Sequence, residues 1–405
     1  MNFDAVRKEF SLFEKRKDWI YFDSACTTLK PKSVVNAVVE YYSDYTGCAG
    51  RSIHKLSKMT EEHFEGSRVK IAKFFNAKPE EVVFTRNTTE GLNWVPKMLS
   101  FQGEKNVALT TNMEHHSVLL PLQALHNENK LKLEYLIANK DGEIEVEAFK
   151  DKISKNTKLV ATHHTTNTTG VTSPIEEIIK ISKENDAITL IDAAQGAPHK
   201  KIDFKKLGCD FLSFSGHKML GPTGIGCLIG KSELLEKLPA INVGGETIET
   251  VSMYSAKFLN PPHKFEGGIQ HYAGAIGLGA ACDFLQKIGM NEVELHEKKL
   301  AKKLLSELLQ IKEVEIYGTT DATRRGALAA FNVRKNGKII SPHTIAGLLD
   351  EYRHIELRSG IFCAQLAMEH FGAPQGAVRP SLYVYNGEAE IEEFAKTLKQ
   401  VIAIV

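Results

Sequence analysis

Hydrophobic positions in the middle of the chain follow two alternating patterns. Short runs rich in β-branched residues predict buried strands, at Asn106–Thr111, Leu133–Ala138, Leu159–Thr165, Ala187–Asp192 and Phe211–Phe214. Longer segments with helical spacing of apolar residues lie between several of them, as at Ser117–Asn129 and Ser173–Asn185. Strands that alternate with helices in this way indicate an α/β domain with a largely parallel sheet.

The last third of the chain has a different pattern. Glu292–Gln310 is predicted to be a long helix, because leucines recur along one side of it. The segments that follow mix strand patterns and helix patterns: Val314–Tyr317, Ala327–Val333 and Leu382–Tyr385 as strands, Ser341–Tyr352 and Glu388–Ile404 as helices. We therefore expect a large domain over residues 20–280 and a smaller α+β domain over residues 281–405, which residues 1–19 would join.

Composition excludes several classes of protein. The 405 residues include 51 Lys and Arg against 50 Asp and Glu, a formal net charge of +1. A protein that binds nucleic acid or a membrane surface would show a basic excess or stripe. The chain has no apolar run of about 18 residues, and residues 1–19 lack the apolar stretch of a signal peptide. We expect a cytoplasmic protein that binds neither nucleic acid nor membrane.

The six cysteines predict no shared structural role. They form no C-x-x-C pair, so neither a zinc ribbon nor a dithiol redox motif is indicated. Disulfide scaffolds belong to shorter chains with denser cysteines. We expect reduced thiols and no bound metal.

The most informative segment is Ser213–Gly226, which follows a predicted strand and holds Lys218 in a glycine-rich turn. A phosphate loop would have similar glycine spacing, but Cys227 stands where such a loop needs lysine. Lys218 could also be an ordinary surface lysine. A third use of such a lysine is a Schiff base with pyridoxal phosphate, because burial lowers the pKa of the amine and frees it as a nucleophile.

A pyridoxal phosphate site needs a carboxylate beside the ring nitrogen. Asp192 lies at the carboxyl end of an apolar strand, where ligands bind in open α/β sheets. Gln195, three residues later, could contact the ring oxygen. The alternative for Asp192 is a helix-capping residue after the strand.

The same cofactor needs a site for its phosphate. After strand-like Val82–Phe84, Asn87 and Glu90 fit a capping box at the start of a helix. Exposed amides at a helix start bind anions, although the segment could be only a cap. The side chains that could contact the phosphate are Thr88, Thr89, Ser215 and His217.

Histidines follow two of the predicted strands. His115, after Asn106–Thr111, could stack on the cofactor ring and move protons. A surface turn or a metal site is the alternative, but no third ligand has convincing spacing. His163 and His164 are expected to be structural.

In order along the chain, these motifs resemble those of fold-type I pyridoxal phosphate enzymes of the class V aminotransferase group. Within it the chain is most similar to Suf-type cysteine desulfurases and selenocysteine lyases. The resemblance runs from about Phe22 to Tyr385. Its eleven blocks are Phe22–Ala25, Arg51–His54, Asn87–Gly91, Glu114–His116, Asn167 with Gly170, Asp192–Gln195, Ser215–Lys218, Phe265 with Glu266, Arg358–Gly360, Cys363–Gln365 and Arg379–Leu382.

The resemblance implies a fold, an assembly and site roles. The fold is a large domain with a mainly parallel seven-stranded sheet flanked by helices, plus a smaller C-terminal α+β domain; the assembly is a homodimer. Lys218 would form the Schiff base, Asp192 would pair with the ring nitrogen, Gln195 would contact the ring oxygen, and His115 would stack on the ring. Thr88, Thr89, Ser215 and His217 would hold phosphate, and Asn167, Arg358 and Arg379 would bind the amino-acid substrate.

Cys363 decides which reaction the resemblance implies. Taken alone, it could be a buried apolar cysteine. In the family pattern it is the nucleophile that takes sulfur from L-cysteine, leaving L-alanine and a persulfide on Cys363. The sulfur would pass to an acceptor protein, for iron–sulfur clusters or another pathway. Ile361 and Phe362 stand where the family usually has two histidines, and Ile269 replaces a threonine that usually reaches the neighbouring subunit's phosphate.

Other functions remain open at this point. The same scaffold carries out selenocysteine lyase, aminotransferase, epimerase and cysteine β-lyase reactions, and L-selenocysteine is an alternative substrate. A non-catalytic scaffold protein is a third class, against which Lys218 and Asp192 argue. A nicotinamide enzyme is disfavoured, because Gly277-x-Gly279 follows no convincing strand.

Overall fold

The structure is a computed structural model, and it describes residues 3–50 and 52–405. Arg51, the first residue of one family-like block, lies outside the described residues. In chain order the strands are β1 (Ile20–Phe22), β2 (Val82–Thr85), β3 (Val107–Thr111), β4 (Lys132–Leu136), β5 (Thr157–His163), β6 (Ile188–Asp192), β7 (Phe211–Ser215), β8 (Gly226–Gly230), β9 (Ile248–Val251), β10 (Ala256–Phe258), β11 (Val314–Tyr317), β12 (Ala330–Lys335), β13 (Lys338–Ile339), β14 (Ile355–Gly360) and β15 (Ala377–Arg379).

The helices are α1 (Phe3–Arg7), α2 (Ser11–Lys15), α3 (Lys32–Asp44), α4 (Lys55–Phe75), α5 (Thr88–Met98), α6 (His116–Asn127), α7 (Val146–Lys152), α8 (Ile175–Glu184), α9 (Phe204–Leu207), α10 (Ser232–Lys237), α11 (Tyr272–Ile288), α12 (Met290–Leu309), α13 (Pro342–Arg353), α14 (Gln365–His370) and α15 (Glu388–Ile404). Short 3₁₀ turns occur at Pro79–Glu81, Gly216–Lys218, His263–Phe265 and Ala322–Arg324.

The larger sheet has seven strands in the order β2-β8-β7-β6-β5-β3-β4. Four neighbouring pairs are parallel, and only β8 runs antiparallel to its two neighbours. Its central strands are buried throughout, as apolar runs covered by helices on both faces should be. The expected mainly parallel seven-stranded sheet is therefore confirmed.

The second sheet joins distant parts of the chain. Its main path is β1-β14-β15-β12-β11, with β13 pairing to β12. Strand β1 pairs in parallel with β14, so the segment at residue 20 enters the C-terminal sheet. Helix α11 runs across residues 280 and 281, and the expected division into domains at that point stays a prediction.

The predicted strand at Leu382–Tyr385 is wrong. The strand of this region is β15, and Ser381 makes only isolated bridges to Asp23 and Leu328. The chain then turns: Asn386 N–H donates to the carbonyl oxygen of Tyr383 at 3.0 Å, and Tyr383 N–H donates to Asn386 Oδ1 at 2.8 Å. The four residues are fully buried, so their apolar pattern reports burial and not extended pairing.

Helices cover the sheets and leave one hairpin exposed. Helix α11 packs against α3 and α4, and α8 turns its isoleucines toward the core. The antiparallel pair β9–β10 projects Met253 and Tyr254 almost fully into solvent, at 92% and 97% exposure. Among the residues that the structure describes, no helix is long and apolar enough to cross a membrane.

Candidate active site

A cavity of about 380 Å³ opens at the carboxyl ends of the central strands of the larger sheet. All twelve residues predicted to form the site line it: Thr88, Thr89, His115, Asn167, Asp192, Gln195, Ser215, His217, Lys218, Arg358, Cys363 and Arg379. The fold thus brings together residues from positions 88 to 379. Their individual roles remain predictions.

Lys218 and Asp192 reach the cavity from neighbouring strands. Asp192 is the last residue of β6, and Lys218 ends the short turn that follows β7. Burial lowers the pKa of Lys218 below its ordinary value, although Asp192 acts in the opposite direction. Burial likewise raises the pKa of Asp192, and the Ala194 N–H at 2.8 Å and Lys218 oppose the change. The sheet therefore holds an amine and a carboxylate whose charges depend on each other.

Only one of the two polar side-chain atoms of Gln195 has a hydrogen-bond partner among the described residues. Its Nε2 donates to the carbonyl oxygen of Ala25 at 2.8 Å, whereas its Oε1 is buried and has no hydrogen-bond partner among the described residues. A buried polar atom without a partner costs about 1–3 kcal/mol. Gln195 thus presents a free acceptor where a ligand hydroxyl could donate.

The beginning of α5 is tied to the end of β7. Asn87 caps the helix by accepting from Glu90 N–H at 3.1 Å, as predicted. Glu90 returns its carboxylate to the Arg86 N–H at 2.7 Å and not to Asn87, so the reciprocal half of the capping box is shifted by one residue. Thr88 N–H donates to Ser215 Oγ at 2.8 Å. This contact places the helix start, which favours anions, beside the turn that holds Lys218.

His115 is held as a neutral ring. It caps α6, and its Nδ1 accepts from Ser117 N–H at 3.1 Å. Burial and then Lys218 lower the pKa of His115 to about 3. Because Nδ1 is an acceptor, the ring proton is on Nε2, which leaves one N–H available. Ser117 in turn bonds to Thr89 Oγ1 at 2.8 Å.

The backbone at His217 is held by a lysine that sequence reasoning missed. Lys30 Nζ donates to the carbonyl oxygen of His217 at 2.9 Å, and Thr28 N–H donates to the same oxygen at 2.9 Å. Burial lowers the pKa of Lys30 to about 8 and that of His217 to about 4. No motif signals the role of Lys30, since it follows from contact across 187 residues.

Arg379 is a buried cation with spare donors. Its Nη1 donates to the carbonyl oxygen of Asn167 at 2.6 Å, and its Nη2 lies 3.5 Å from Asp23 Oδ1. Its Nε is buried and has no partner among the described residues. Arg358 pairs with Arg379 in register across β14 and β15. Two arginines thus border the cavity, a suitable arrangement for a carboxylate.

Cys363 is exposed at the cavity, so its interpretation as a buried core cysteine is wrong. Phe362 and Cys363 have φ values of +57° and +54°, a conformation that disfavours side chains. Two contacts hold this backbone: Asn167 Nδ2 donates to the carbonyl oxygen of Phe362, and His116 N–H donates to that of Cys363, both at 2.7 Å. Non-glycine residues in this region cluster at functional sites.

The other cysteines divide into two groups. Cys209, Cys227 and Cys282 are buried, as packing predicts, whereas Cys26 and Cys48 are half-buried. Cys26 lines the cavity, a position that the sequence analysis missed. The signal available was its place directly after the family-like block Phe22–Ala25. Among the described residues, no group of three or more His, Cys, Asp or Glu side chains is placed to hold a metal ion.

The residues present fit pyridoxal phosphate. The amine of Lys218 and the carboxylate of Asp192 line one cavity at the strand ends, the start of α5 adjoins it, and Gln195 offers an unpartnered atom. A fold with a parallel sheet and this set of groups defines a pyridoxal phosphate enzyme.

Comparison with known proteins gives the family. The family model described as Aminotransferase class-V matches residues 20–394, and the chain belongs to this family. A probable cysteine desulfurase of Halalkalibacterium halodurans is 40% identical over 406 residues, 99% of this chain and 98% of the relative. Another, of Pyrococcus abyssi, is 40% identical over 403 residues, 98% of this chain and 97% of the relative.

Solved structures agree with the sequence relatives. The apo structure of a cysteine desulfurase from Thermococcus onnurineus NA1 superposes with a TM-score of 0.94 at 39% identity, covering 99% of this chain and 98% of that chain. The cysteine desulfurase CsdA of Escherichia coli, in an S-sulfonic acid form, has a TM-score of 0.90 at 29% identity, covering 100% and 99%. The fold expected from the sequence is confirmed.

Proposed function

We propose that the protein is a pyridoxal phosphate-dependent cysteine desulfurase. It converts L-cysteine to L-alanine and carries the sulfur as a persulfide on Cys363. The observation that supports this most directly is the position of Cys363: an exposed thiol lines the same cavity as Lys218, Asp192 and Arg379. The full-length relatives named probable cysteine desulfurases support the same substrate.

The cofactor would be held by the residues that the geometry groups together. Lys218 would provide the amine for its aldehyde, Asp192 would pair with its ring nitrogen, and the start of α5 with Ser215 would hold its phosphate. When bound, pyridoxal phosphate takes up electron density from the substrate's α-carbon. His115, with its N–H on Nε2, would cover one face of the ring and exclude water from that side.

Lys218 is suited to move a proton. Its burial lowers the pKa of the amine, so the neutral form needed to accept the substrate's α-proton becomes accessible nearer neutral pH. Arg379 binds the substrate carboxylate with its free donors, and Phe362 shields that contact, since the guanidinium carbon lies 4.7 Å from the centre of its ring. These contacts orient L-cysteine before the sulfur is transferred.

Cys363 then attacks the sulfur of the bound substrate as its thiolate. A bond forms between Cys363 Sγ and the substrate sulfur, and the bond between that sulfur and the substrate's β-carbon breaks. The β-carbon keeps the electron pair and gains a proton, which balances the proton lost from the Cys363 thiol. The products are L-alanine and a persulfide, without an added oxidant or reductant.

The same proposal includes the oligomeric state, the sulfur acceptor, the cellular location and an alternative substrate. A homodimer is supported by the exposed apolar residues of the β9–β10 hairpin and by Ile269, which is 68% exposed. The exposure of Cys363 lets a sulfur-acceptor protein reach the persulfide, for iron–sulfur cluster assembly or another sulfur pathway in the cytoplasm. L-selenocysteine fits the same contacts as an alternative substrate.

The test is to incubate the purified protein with L-cysteine and measure both products. Alanine should form, and peptide mass spectrometry should find one added sulfur on Cys363. Cys363→Ser should abolish both signals, whereas Cys26→Ser, which removes the other thiol lining the cavity, should keep both. Pyruvate in place of alanine, or sulfur carried on Cys26 alone, would contradict the proposal.

A further inference from the structure

A buried chain of hydrogen bonds borders the cavity and has no role in the reaction described above. Glu114 is fully buried, and its Oε1 accepts from Thr111 Oγ1 at 2.7 Å and Thr162 Oγ1 at 2.9 Å. His163 Nδ1 lies 2.8 Å from the same oxygen, and His163 Nε2 lies 2.8 Å from Ser173 Oγ. His163 itself lines the cavity.

The hydrogen-bond partners of Glu114 and His163 indicate which atoms donate and which accept in this network. The Ser173 hydroxyl holds the other nitrogen of the His163 ring, Nε2, in place. His163 Nδ1 faces the Glu114 carboxylate at 2.8 Å, so it carries a proton and donates it to Glu114 Oε1. Glu114 Oε1 accepts from three donors, as an ionised carboxylate does. Its Oε2 is buried without a partner among the described residues.

The Glu114 carboxylate contacts His163, which is the neighbour of Asp192 in the sheet. His163 and Asp192 are the last residues of the parallel strands β5 and β6 and are paired in register, so their side chains point to the same face. Four groups act on the Asp192 carboxylate after burial: the Ala194 N–H, Lys218 and His163 stabilise its charge, and Glu114 opposes it. A second negative charge raises the affinity of Asp192 for a cation or a proton donor.

We propose that Glu114, fixed by His163, Thr111 and Thr162, is a positioning residue that acts through Asp192 and strengthens its pairing with the protonated ring nitrogen of the cofactor. The inference rests on the proposed binding of pyridoxal phosphate. It explains why the chain keeps an ionised carboxylate with an unpartnered oxygen in its interior, where such a charge is costly. A purely structural link between β3 and β5 would need only the hydroxyl contacts.

The test compares two ligands that differ at one atom. Wild type and Glu114→Gln, both freed of cofactor, are titrated with pyridoxal phosphate and with its 1-deaza analogue, in which carbon replaces the ring nitrogen. We expect the variant to bind pyridoxal phosphate about tenfold more weakly, the equivalent of one pKa unit, and the analogue within twofold of wild type. An equal loss for both ligands, or no loss for either, would overturn the inference.

Glu297→Gln is the matched control. Glu297 is also a buried carboxylate bonded to a histidine, with His199 Nδ1 at 2.9 Å, and it does not line the main cavity. Its loss should lower the melting temperature without changing the preference between the two ligands. If Glu114→Gln does not fold, Thr162→Val replaces it, because this variant removes one hydrogen-bond donor from Glu114. We expect its preference for pyridoxal phosphate over the 1-deaza analogue to fall two- to threefold. An unchanged preference would overturn the inference.

The absolute affinity separates this inference from the proposed function. A wild-type protein that binds neither ligand would contradict the pyridoxal phosphate site itself. A wild type that binds pyridoxal phosphate, with a Glu114→Gln variant of unchanged preference, would contradict only the role of Glu114.

Discussion

The two sides of the cavity are built in different ways. On one side, Asp192 and Lys218 follow directly from strands of the larger sheet, whose ladder and burial fix them. On the other, the cysteine loop, Ile361–Ala364, follows β14 and holds Phe362 and Cys363 in a left-handed conformation. The first side is held by the hydrogen-bond ladder of the sheet, whereas the second depends on single hydrogen bonds from other elements.

The difference matches the chemistry proposed for each side. A cofactor needs groups held in fixed geometry, which strand ends provide. A nucleophile that must attack a substrate and then present a persulfide to another protein needs exposure, which Cys363 has. The strained loop backbone positions the thiol at the cavity without burying it.

The largest effect should come from the sheet side. Lys218→Ala removes the amine that we propose as both attachment point and proton carrier, and alanine formation should fall by about 10⁴-fold, the upper range for a positioned acid–base group. Cys363 should stay accessible, so its alkylation by iodoacetamide should proceed at the wild-type rate. The exposed Lys205→Ala is the control for loss of a lysine. Full activity in Lys218→Ala would show that the sheet side does not carry the chemistry.

Arg379→Lys should have the next largest effect. Lysine keeps the charge but loses the forked donors and the contact of the guanidinium with the Phe362 ring. We expect KM for L-cysteine to rise about 10- to 100-fold, the range for losing hydrogen bonds to a charged group, with a smaller change in kcat. Steady-state kinetics separates the two parameters. An unchanged KM would mean that the substrate carboxylate binds elsewhere.

Asn167→Ala should act on the cysteine loop. It removes the 2.7 Å hydrogen bond to the Phe362 carbonyl oxygen, so we expect kcat for alanine formation to fall about tenfold through misplacement of Cys363. Cofactor affinity, measured by titration, should stay within twofold. Gln365→Ala is a matched control, since within the described part of the chain that side chain bonds only to Glu369, at the surface. A loss of cofactor affinity in Asn167→Ala would show that the two sides are not independent.

The same contrast explains how far the sequence could predict the site. Asp192 and Lys218 could be placed from local patterns, because an apolar strand followed by a polar residue has one natural position in an α/β sheet. The position of Cys363 could not be derived in this way. Its loop is held by Asn167, whose bond to Phe362 spans 195 residues, so only the family resemblance assigned Cys363 to the site.

Other parts were missed for related reasons. The structural role expected for His163 stays a prediction, but its contact with Glu114 was not foreseen, because it joins residues 49 apart at the ends of the neighbouring strands β3 and β5. The Leu382–Tyr385 segment has the apolar pattern of a strand but lies in a buried turn. The pattern of apolar residues along the chain predicts which residues are buried. It does not predict their hydrogen-bond partners, because those depend on distant parts of the fold.

The smallest effect concerns pH. The pKa of His115 is about 3 and that of His164 about 4 in the folded protein, both lowered first by burial, against an ordinary value near 6.5 in the unfolded chain. The unfolded chain therefore binds more protons as pH falls below about 6.5, and stability is lost in that direction. We expect the free energy of unfolding to drop by about 1 kcal/mol per pH unit for each histidine between pH 6 and pH 5.

Urea unfolding of the cofactor-free protein at several pH values measures this slope. His115→Gln should make the slope shallower by about 1 kcal/mol per pH unit, because a neutral glutamine titrates in neither state. If the His115 variant keeps the wild-type slope, the ring is protonated in the folded protein, and the neutral His115 assigned to the sheet side of the cavity is wrong.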